Sequence, residues 1–151
     1  SSGFPAERLV TIHGTDAQVE CLGCGFRGDR APAEASWRES GEVPSCPTCG
    51  DWLKPAVVAF GQSLVMADLQ RAFEAAARCD LFLAVGTSLV VSPINQMMLY
   101  AADGGAECAI LTASETPYDE LATWRCAGRL ETVLPALRDR VLGGAASSTS
   151  S

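Results

Sequence analysis

Two Cys-x-x-Cys hooks, Cys21-Leu22-Gly23-Cys24 and Cys46-Pro47-Thr48-Cys49, constrain this chain more than any other feature. Each hook turns two sulfurs toward one point. Together they supply four soft ligands to a tetrahedral zinc and leave no position open for water, so the site is structural and not catalytic. The stretch between the hooks, residues 25–45, is slightly longer than the common spacing for such sites. The competing assignment is two disulfides or four unrelated thiols. Chance rarely yields two such hooks, and nothing in the chain points to an oxidising compartment. The whole segment from Cys21 to Lys54 is rich in Gly, Pro, Cys and charge and poor in helical period, so it needs a staple to fold.

The 151 residues suit one domain plus a small insertion, and with 48% hydrophobic residues the chain can build a core. Its net charge of -7 argues against the phosphate-binding surface of a nucleic-acid binder, which needs clustered Lys and Arg. An acidic surface instead suits a basic partner such as a lysine-containing peptide. No stretch approaches the roughly 20 apolar residues that cross a bilayer, and Ser1–Pro5 has neither the basic nor the apolar part of a signal peptide. A cytoplasmic location is expected. The chain does not open on Met, which places the expected true start upstream.

Apolar alternation over Leu9–Gly14 predicts a strand, and Val57-Val58-Ala59-Phe60 a buried one. Met66–Arg78 has the spacing of an amphipathic helix. Asp80–Val85, a near-continuous apolar run before Gly86, reads as a strand buried on both faces of a parallel sheet. A helix is expected after Pro93, a strand over Ala106–Leu111 and a last helix over Leu130–Leu142. Strands alternating with helices imply a parallel sheet. The tail, residues 143–151, contains only Gly, Ala, Ser and Thr and is expected to be disordered. An open parallel sheet holds its ligand at the carboxyl ends of its strands, which singles out the loops Phe60-Gly61-Gln62, Gly86-Thr87-Ser88 and Thr112–Pro117.

His13, the one histidine, ends a predicted strand before Gly14 and has the chemistry for proton transfer near neutral pH; a structural role is the alternative. Gly86-Thr87-Ser88-Leu89 follows the best strand and offers hydroxyls and backbone N–H groups to a phosphate or ribose, or serves as an ordinary capped turn. Gly23-Cys24-Gly25-Phe26-Arg27-Gly28 matches the dinucleotide fingerprint literally, but it lies inside a hook and not between a strand and a helix; its glycines instead permit tight turns around the metal. Cys79, Cys108 and Cys126 stand singly among apolar residues and read as small core side chains.

Taken together, these segments resemble the sirtuin family, a match that runs through nearly the whole chain. Glu7–Thr15 is similar to the family's catalytic His-Gly segment, and the two hooks follow in the family's order. Leu53–Gln62 resembles its Val-Val-x-Phe-Gly-Glu segment, and Gly86-Thr87-Ser88-Leu89 its Gly-Thr-Ser-Leu motif. Thr116-Pro117-Tyr118-Asp119 and Val133-Leu134-Pro135-Ala136-Leu137 are similar to its closing segments.

The resemblance implies an α/β fold: a partial Rossmann-like parallel sheet with helices on both faces plus a small zinc-binding module. It implies an NAD-dependent protein-lysine deacylase, with NAD as co-substrate and one structural zinc held by Cys21, Cys24, Cys46 and Cys49. His13 would be the general base on the ribose hydroxyls. Val58, Phe60 and Gly61 would meet an acyl-lysine peptide paired between strands, and Gly86, Thr87, Ser88, Thr112 and Cys126 would face the nucleotide. The implied layout is a catalytic-histidine segment over 1–20, the zinc module over 21–54, the NAD-binding part over 55–142 and the tail over 143–151. Gln62 replaces the family's Glu, Thr112 its ribose-contacting Asn, and Ser114 a common acidic residue. The family's Gly-Ala-Gly loop and Gln-Asn-x-Asp segment have no counterpart in residues 1–12. Little or no deacylase activity is therefore expected of this chain alone; normal turnover of an acetyl-lysine peptide with NAD would overturn that. The alternative function is a non-catalytic zinc-containing module that binds peptide or ADP-ribose.

Overall fold

The structure is a computed structural model, and it describes residues 3–146. The chain divides into two compact units, one ending at Gln70 and the other beginning at Arg71.

The first unit is built on a three-stranded antiparallel sheet. Its central strand β1 (Gly14–Cys21) lies between β2 (Arg27–Asp29) and β3 (Leu53–Val57). Pairing of β1 with β3 begins at Gly14 opposite Val57 and Thr15 opposite Ala56, then shifts so that Val19 faces Pro55; Asp16–Gln18 bulge between. Pro55, with no N–H to donate, is tolerated because β3 is an edge strand. Glu20 in the central strand receives Arg27 at 2.9 Å from one neighbour and Lys54 from the other. The hydrogen bond from Lys54, reinforced by Arg27, holds the Glu20 carboxyl below its ordinary range.

Three expectations for this unit are corrected. Leu9–Gly14 is not a strand: a 3-10 turn occupies Ala6–Arg8, and β1 starts only where β3 offers a partner, at Gly14. Val57–Phe60 is not a buried strand. Strand β3 ends at Val57, and the chain then turns at Ala59–Gln62, with Gly61 at φ 86° and Phe60 fully exposed. The stretch between the hooks, which shows no helical period, contains helix α1 (Arg30–Ser40). No residue of α1 is buried, so it carries no apolar stripe to read. It is held instead by Glu34 between Arg30 and Arg38, each four residues away, and by Gly41 in the left-handed conformation with its N–H on Trp37 O.

Helix α2 (Met66–Ala76) leads into the second unit, whose sheet is parallel with strand order β4 (Leu81–Val85), β5 (Glu107–Leu111), β6 (Trp124–Cys126). Helix α3 (Met97–Asp103) links β4 to β5, and α4 (Leu130–Ala146) follows β6. The core forms where Ala84 of β4 and Cys108 and Ile110 of β5 meet Met98 and Ala101 of α3, with Leu89 and the half-buried Phe82 and Cys79 alongside. Phe73 of α2 packs edge-on against Tyr100 of α3, ring centroids 4.8 Å apart.

Strand β4 is not covered on both faces in the described chain. Phe82 and Ala84 face the core, whereas Leu81 and Leu83 are 53% and 45% exposed. An apolar run records that a strand has two apolar faces; it does not supply the element that covers the second. Helix α4 runs on to Ala146, into the stretch expected to be disordered, and 147–151 lie outside the described residues. No helix among the described residues is long and apolar enough to cross a membrane.

Gly14 gives a stability test. Its φ is 76°, and a Cβ there would overlap the carbonyl oxygen of Ala56. Gly25 has a similar φ of 72° with open space around it. The left-handed backbone alone costs a non-glycine roughly 1–2 kcal/mol. Gly25→Ala is therefore expected to lower stability by about that amount and Gly14→Ala by more, read as denaturation midpoints. Equal losses would count against the close approach of β3.

Candidate metal centre and strand-end loops

The two hooks fold alike. In each, the first cysteine's carbonyl accepts the N–H four residues on, Gly25 to Cys21 at 3.2 Å and Gly50 to Cys46 at 2.9 Å. Both glycines are left-handed, with φ 72° and 80°. Gly25 thus closes a metal knuckle, and Gly23 lies so close to Asp51 that a side chain would strike its carboxylate. That is why the literal dinucleotide fingerprint here is spurious: its glycines serve the hook and, at Gly28, strand β2, where a Cβ would strike the Phe26 ring.

The four sulfurs of Cys21, Cys24, Cys46 and Cys49 all lie within 4.8 Å of one another. Cys21 is 3.4 Å from Cys49, and Cys24 is 3.7 Å from Cys46. Zinc–sulfur bonds of about 2.3 Å in a tetrahedron require sulfur separations of about 3.8 Å, so the cluster has the size the ion needs. Backbone N–H groups point at the sulfurs: Gly23 at 3.3 Å on Cys21 and Thr48 at 3.4 Å on Cys46. Burial opposes ionisation of Cys46, but N–H groups of Cys49 and Thr48 and the adjacent thiols bring it down to about 6. At Cys49 the Asp51 N–H favours the thiolate, yet the crowding sulfurs of Cys21 and Cys24 outweigh it and push the thiol up to about 12. Four thiolates cannot share this space without a cation, and a dication resolves the conflict. The cluster fits one structural zinc. Cys79 and Cys108 are also free thiols, half-buried and buried in the second unit's core, as expected; Cys126 is exposed and not a core residue.

His13 is exposed, just before β1. Its carbonyl accepts the N–H of Val58 at 3.0 Å, extending the β1–β3 ladder beyond Gly14 and Val57. Val58 thus stands directly across from His13. Phe60 and Gly61 form the tip of the following turn, in which the Gln62 side-chain oxygen accepts the Ala59 N–H at 2.8 Å while the Gln62 N–H donates to Ala59 O at 3.0 Å. This turn follows an antiparallel strand, not one of the parallel sheet as expected.

In the second unit, the carboxyl ends of the parallel strands bring three candidates together. The Gly86 N–H donates to Leu111 O at 2.9 Å, and the Thr112 N–H to Cys126 O at 3.2 Å. Gly86 (φ 63°), buried Thr112 and exposed Cys126 therefore stand side by side across β4, β5 and β6. The Thr87 hydroxyl accepts the Leu89 N–H at 3.2 Å, as in a side-chain turn. Ser88 is exposed. No helix starts there. Leu89, buried in the core, is left-handed at φ 53°, which turns the chain off any helical path; α3 begins only at Met97, after a 3-10 turn over Ile94–Gln96. Among the described residues, no helix N-terminus adjoins this loop.

Sequence reading missed Arg125. From β6 its guanidinium donates to Thr112 O at 2.7 Å, to Ser114 O and to Asp119 Oδ1 at 3.1 Å. The Thr116 hydroxyl donates to the same Asp119 oxygen at 2.6 Å, and this bond, aided by Arg125, holds the Asp119 carboxyl below its ordinary range. A depressed carboxyl stabilises the fold above its unfolded pKa and loses that contribution as pH falls through the folded value. An isolated Arg between Trp and Cys carries no sequence signal for this.

A Sir2 family model matches residues 2–93. The chain belongs to the Sir2 family. Among Sir2 relatives, it is 43% identical over 139 residues to NAD-dependent protein deacetylase 1 of Pyrobaculum aerophilum, covering 91% of this chain and 54% of that protein. It is 38% identical over 136 residues to NAD-dependent protein deacetylase 2 of Streptomyces coelicolor, covering 90% and 56%. Its fold is similar to that of Sir2Tm bound to a propionylated peptide, with TM-score 0.78 and 29% identity over 89% of this chain and 56% of that one. The chain thus spans about half the length of the Sir2 relatives it matches.

Proposed function

We propose that this chain provides the catalytic-histidine segment, the zinc module and the strand-end nucleotide loops of an NAD-dependent protein-lysine deacylase. The observation that carries the reading is the hydrogen bond between His13 O and Val58 N, which sets the base candidate opposite the segment proposed to hold substrate. An acyl-lysine peptide would add its backbone beside Val58, with Phe60 and Gly61 lining the acyl-lysine chain. Gly86, Thr87, Ser88, Thr112 and Cys126 would bind the nucleotide through backbone and hydroxyl groups. NAD, when bound, would supply a ribose carbon that takes the acyl oxygen as nicotinamide leaves, and one water would be consumed in releasing free lysine and O-acyl-ADP-ribose. The exposed imidazole of His13 would accept the proton of a ribose hydroxyl. Cys21, Cys24, Cys46 and Cys49 would hold zinc as a brace. A reducing cytoplasm suits four metal-binding thiols.

The test is an acetyl-lysine peptide assay on the full product of the gene encoding this chain. Nicotinamide and O-acyl-ADP-ribose should form in equal amounts, only when NAD is present. Lysine release without nicotinamide would sink the reading.

For the 151 residues alone, the match to about half of each relative favours a second reading: binding of peptide or ADP-ribose without turnover. Calorimetric binding with a silent assay supports it, and normal turnover rejects it.

A further inference from the structure

The loop that follows the central strand β5 is tied down from β6, across the sheet. Arg125 reaches from β6 to three acceptors on it: the carbonyls of Thr112 and Ser114 and the carboxylate of Asp119. Its side chain is only 23% exposed, so these charge-assisted bonds are partly shielded from water. Removing the guanidinium would leave three converging oxygens without a common donor. The Asp119 end is locked a second time, since Thr116 donates its hydroxyl to Asp119 and accepts the N–H of Tyr118 at 3.3 Å.

This arrangement also sets the other side of the loop. In a trans peptide the N–H points opposite to the preceding carbonyl. With the carbonyls of Thr112 and Ser114 turned onto Arg125, the N–H groups of Ala113 and Glu115 point away from it. Both residues are exposed, and neither N–H donates to a group among the described residues. A pair of free backbone donors on a held loop, at the carboxyl end of a parallel sheet, suits an oxygen-rich ligand such as a ribose or a phosphate.

We propose that Arg125 is a positioning residue for nucleotide binding: it orients the loop 112–119 so that the N–H groups of Ala113 and Glu115 meet oxygens of an ADP-ribose moiety. The inference rests on the nucleotide-binding reading above and adds to it a residue that does not touch the ligand. Lysine cannot replace it, because one ammonium cannot satisfy three acceptors spread around a planar fork.

The test combines ADP-ribose calorimetry with amide hydrogen exchange on the unaltered protein, Arg125→Ala and Arg125→Lys. Charge-assisted hydrogen bonds of this kind are worth enough that both variants should bind ADP-ribose about tenfold more weakly or worse. The hydrogen-bonded amides of Thr112, Tyr118 and Asp119 should exchange faster in both variants, while those of Cys108–Leu111 keep their protection. Arg125→Ala binding ADP-ribose as tightly as the unaltered protein overturns the inference alone. So does lost protection throughout β5, which would mark Arg125 as a merely structural tie. If the unaltered protein fails to bind ADP-ribose, the nucleotide reading fails and the inference with it.

Discussion

Cys46→Ser is expected to abolish bound zinc and unfold the segment from Cys21 to Lys54. The first unit has little else to hold that segment. Its buried apolar residues are Val19, Cys21, Cys46 and Ala56, two of which are themselves metal-ligand candidates, and helix α1 buries none. A structural zinc contributes on the order of 10–16 kcal/mol to the fold it organises, as much as the whole stability of a typical domain. Serine keeps the shape but supplies a hard, protonated hydroxyl where the ion needs a soft thiolate. Elemental analysis should find close to one zinc per chain before the substitution and almost none after. The thermal transition of the first unit should disappear with the metal, and a strong chelator should reproduce the effect without mutation. Unchanged zinc content in Cys46→Ser would refute the four-thiolate site. Cys108→Ser provides the control, because that thiol lies in the second unit's core and should leave zinc content untouched.

The second large effect is on turnover. In the full product of the gene, His13→Ala should lower the deacylation rate by about a hundredfold to ten-thousandfold, the usual range for losing a general acid–base group. Peptide binding should survive, because His13 bonds to Val58 through its carbonyl, which alanine retains. A loss confined to kcat, with peptide affinity within about twofold, is the signature of a proton-transfer role. If turnover falls less than tenfold, His13 is not the base. If affinity collapses with turnover, the histidine is holding the strand and not moving a proton. Gly14→Ala separates these cases further, since it perturbs the β1–β3 approach and leaves the imidazole intact.

Much of the site was legible because its chemistry depends on local spacing. Two cysteines three residues apart must turn their sulfurs together, so the hooks announce themselves, and the left-handed glycine after each hook completes the knuckle. Runs such as Leu81–Val85 and Glu107–Leu111 read as parallel strands because β-rich apolar stretches flanked by glycine have few other uses. Helix α1 was hidden, because a helix stabilised by exposed ion pairs and a glycine cap leaves no apolar period. Strand β6, three residues long, was hidden for a similar reason: too short for any periodicity, it exists because β5 offers it an edge.

The same division runs through the whole protein. By itself the sequence determined the metal-binding hooks, the succession β4, α3, β5 and α4 in the second unit, though not β6, and, through its motifs, membership in the Sir2 family. These rest on neighbours along the chain. Only the tertiary structure decided that β1 begins at Gly14, that Val58 faces His13 and that the Phe60 turn leaves an antiparallel sheet. It alone gathered Gly86, Thr112 and Cys126 at one sheet end with Arg125 beneath their loop. Each of these depends on which strand finds which partner, and hydrogen-bond pairing between segments distant in sequence leaves no periodicity in either of them.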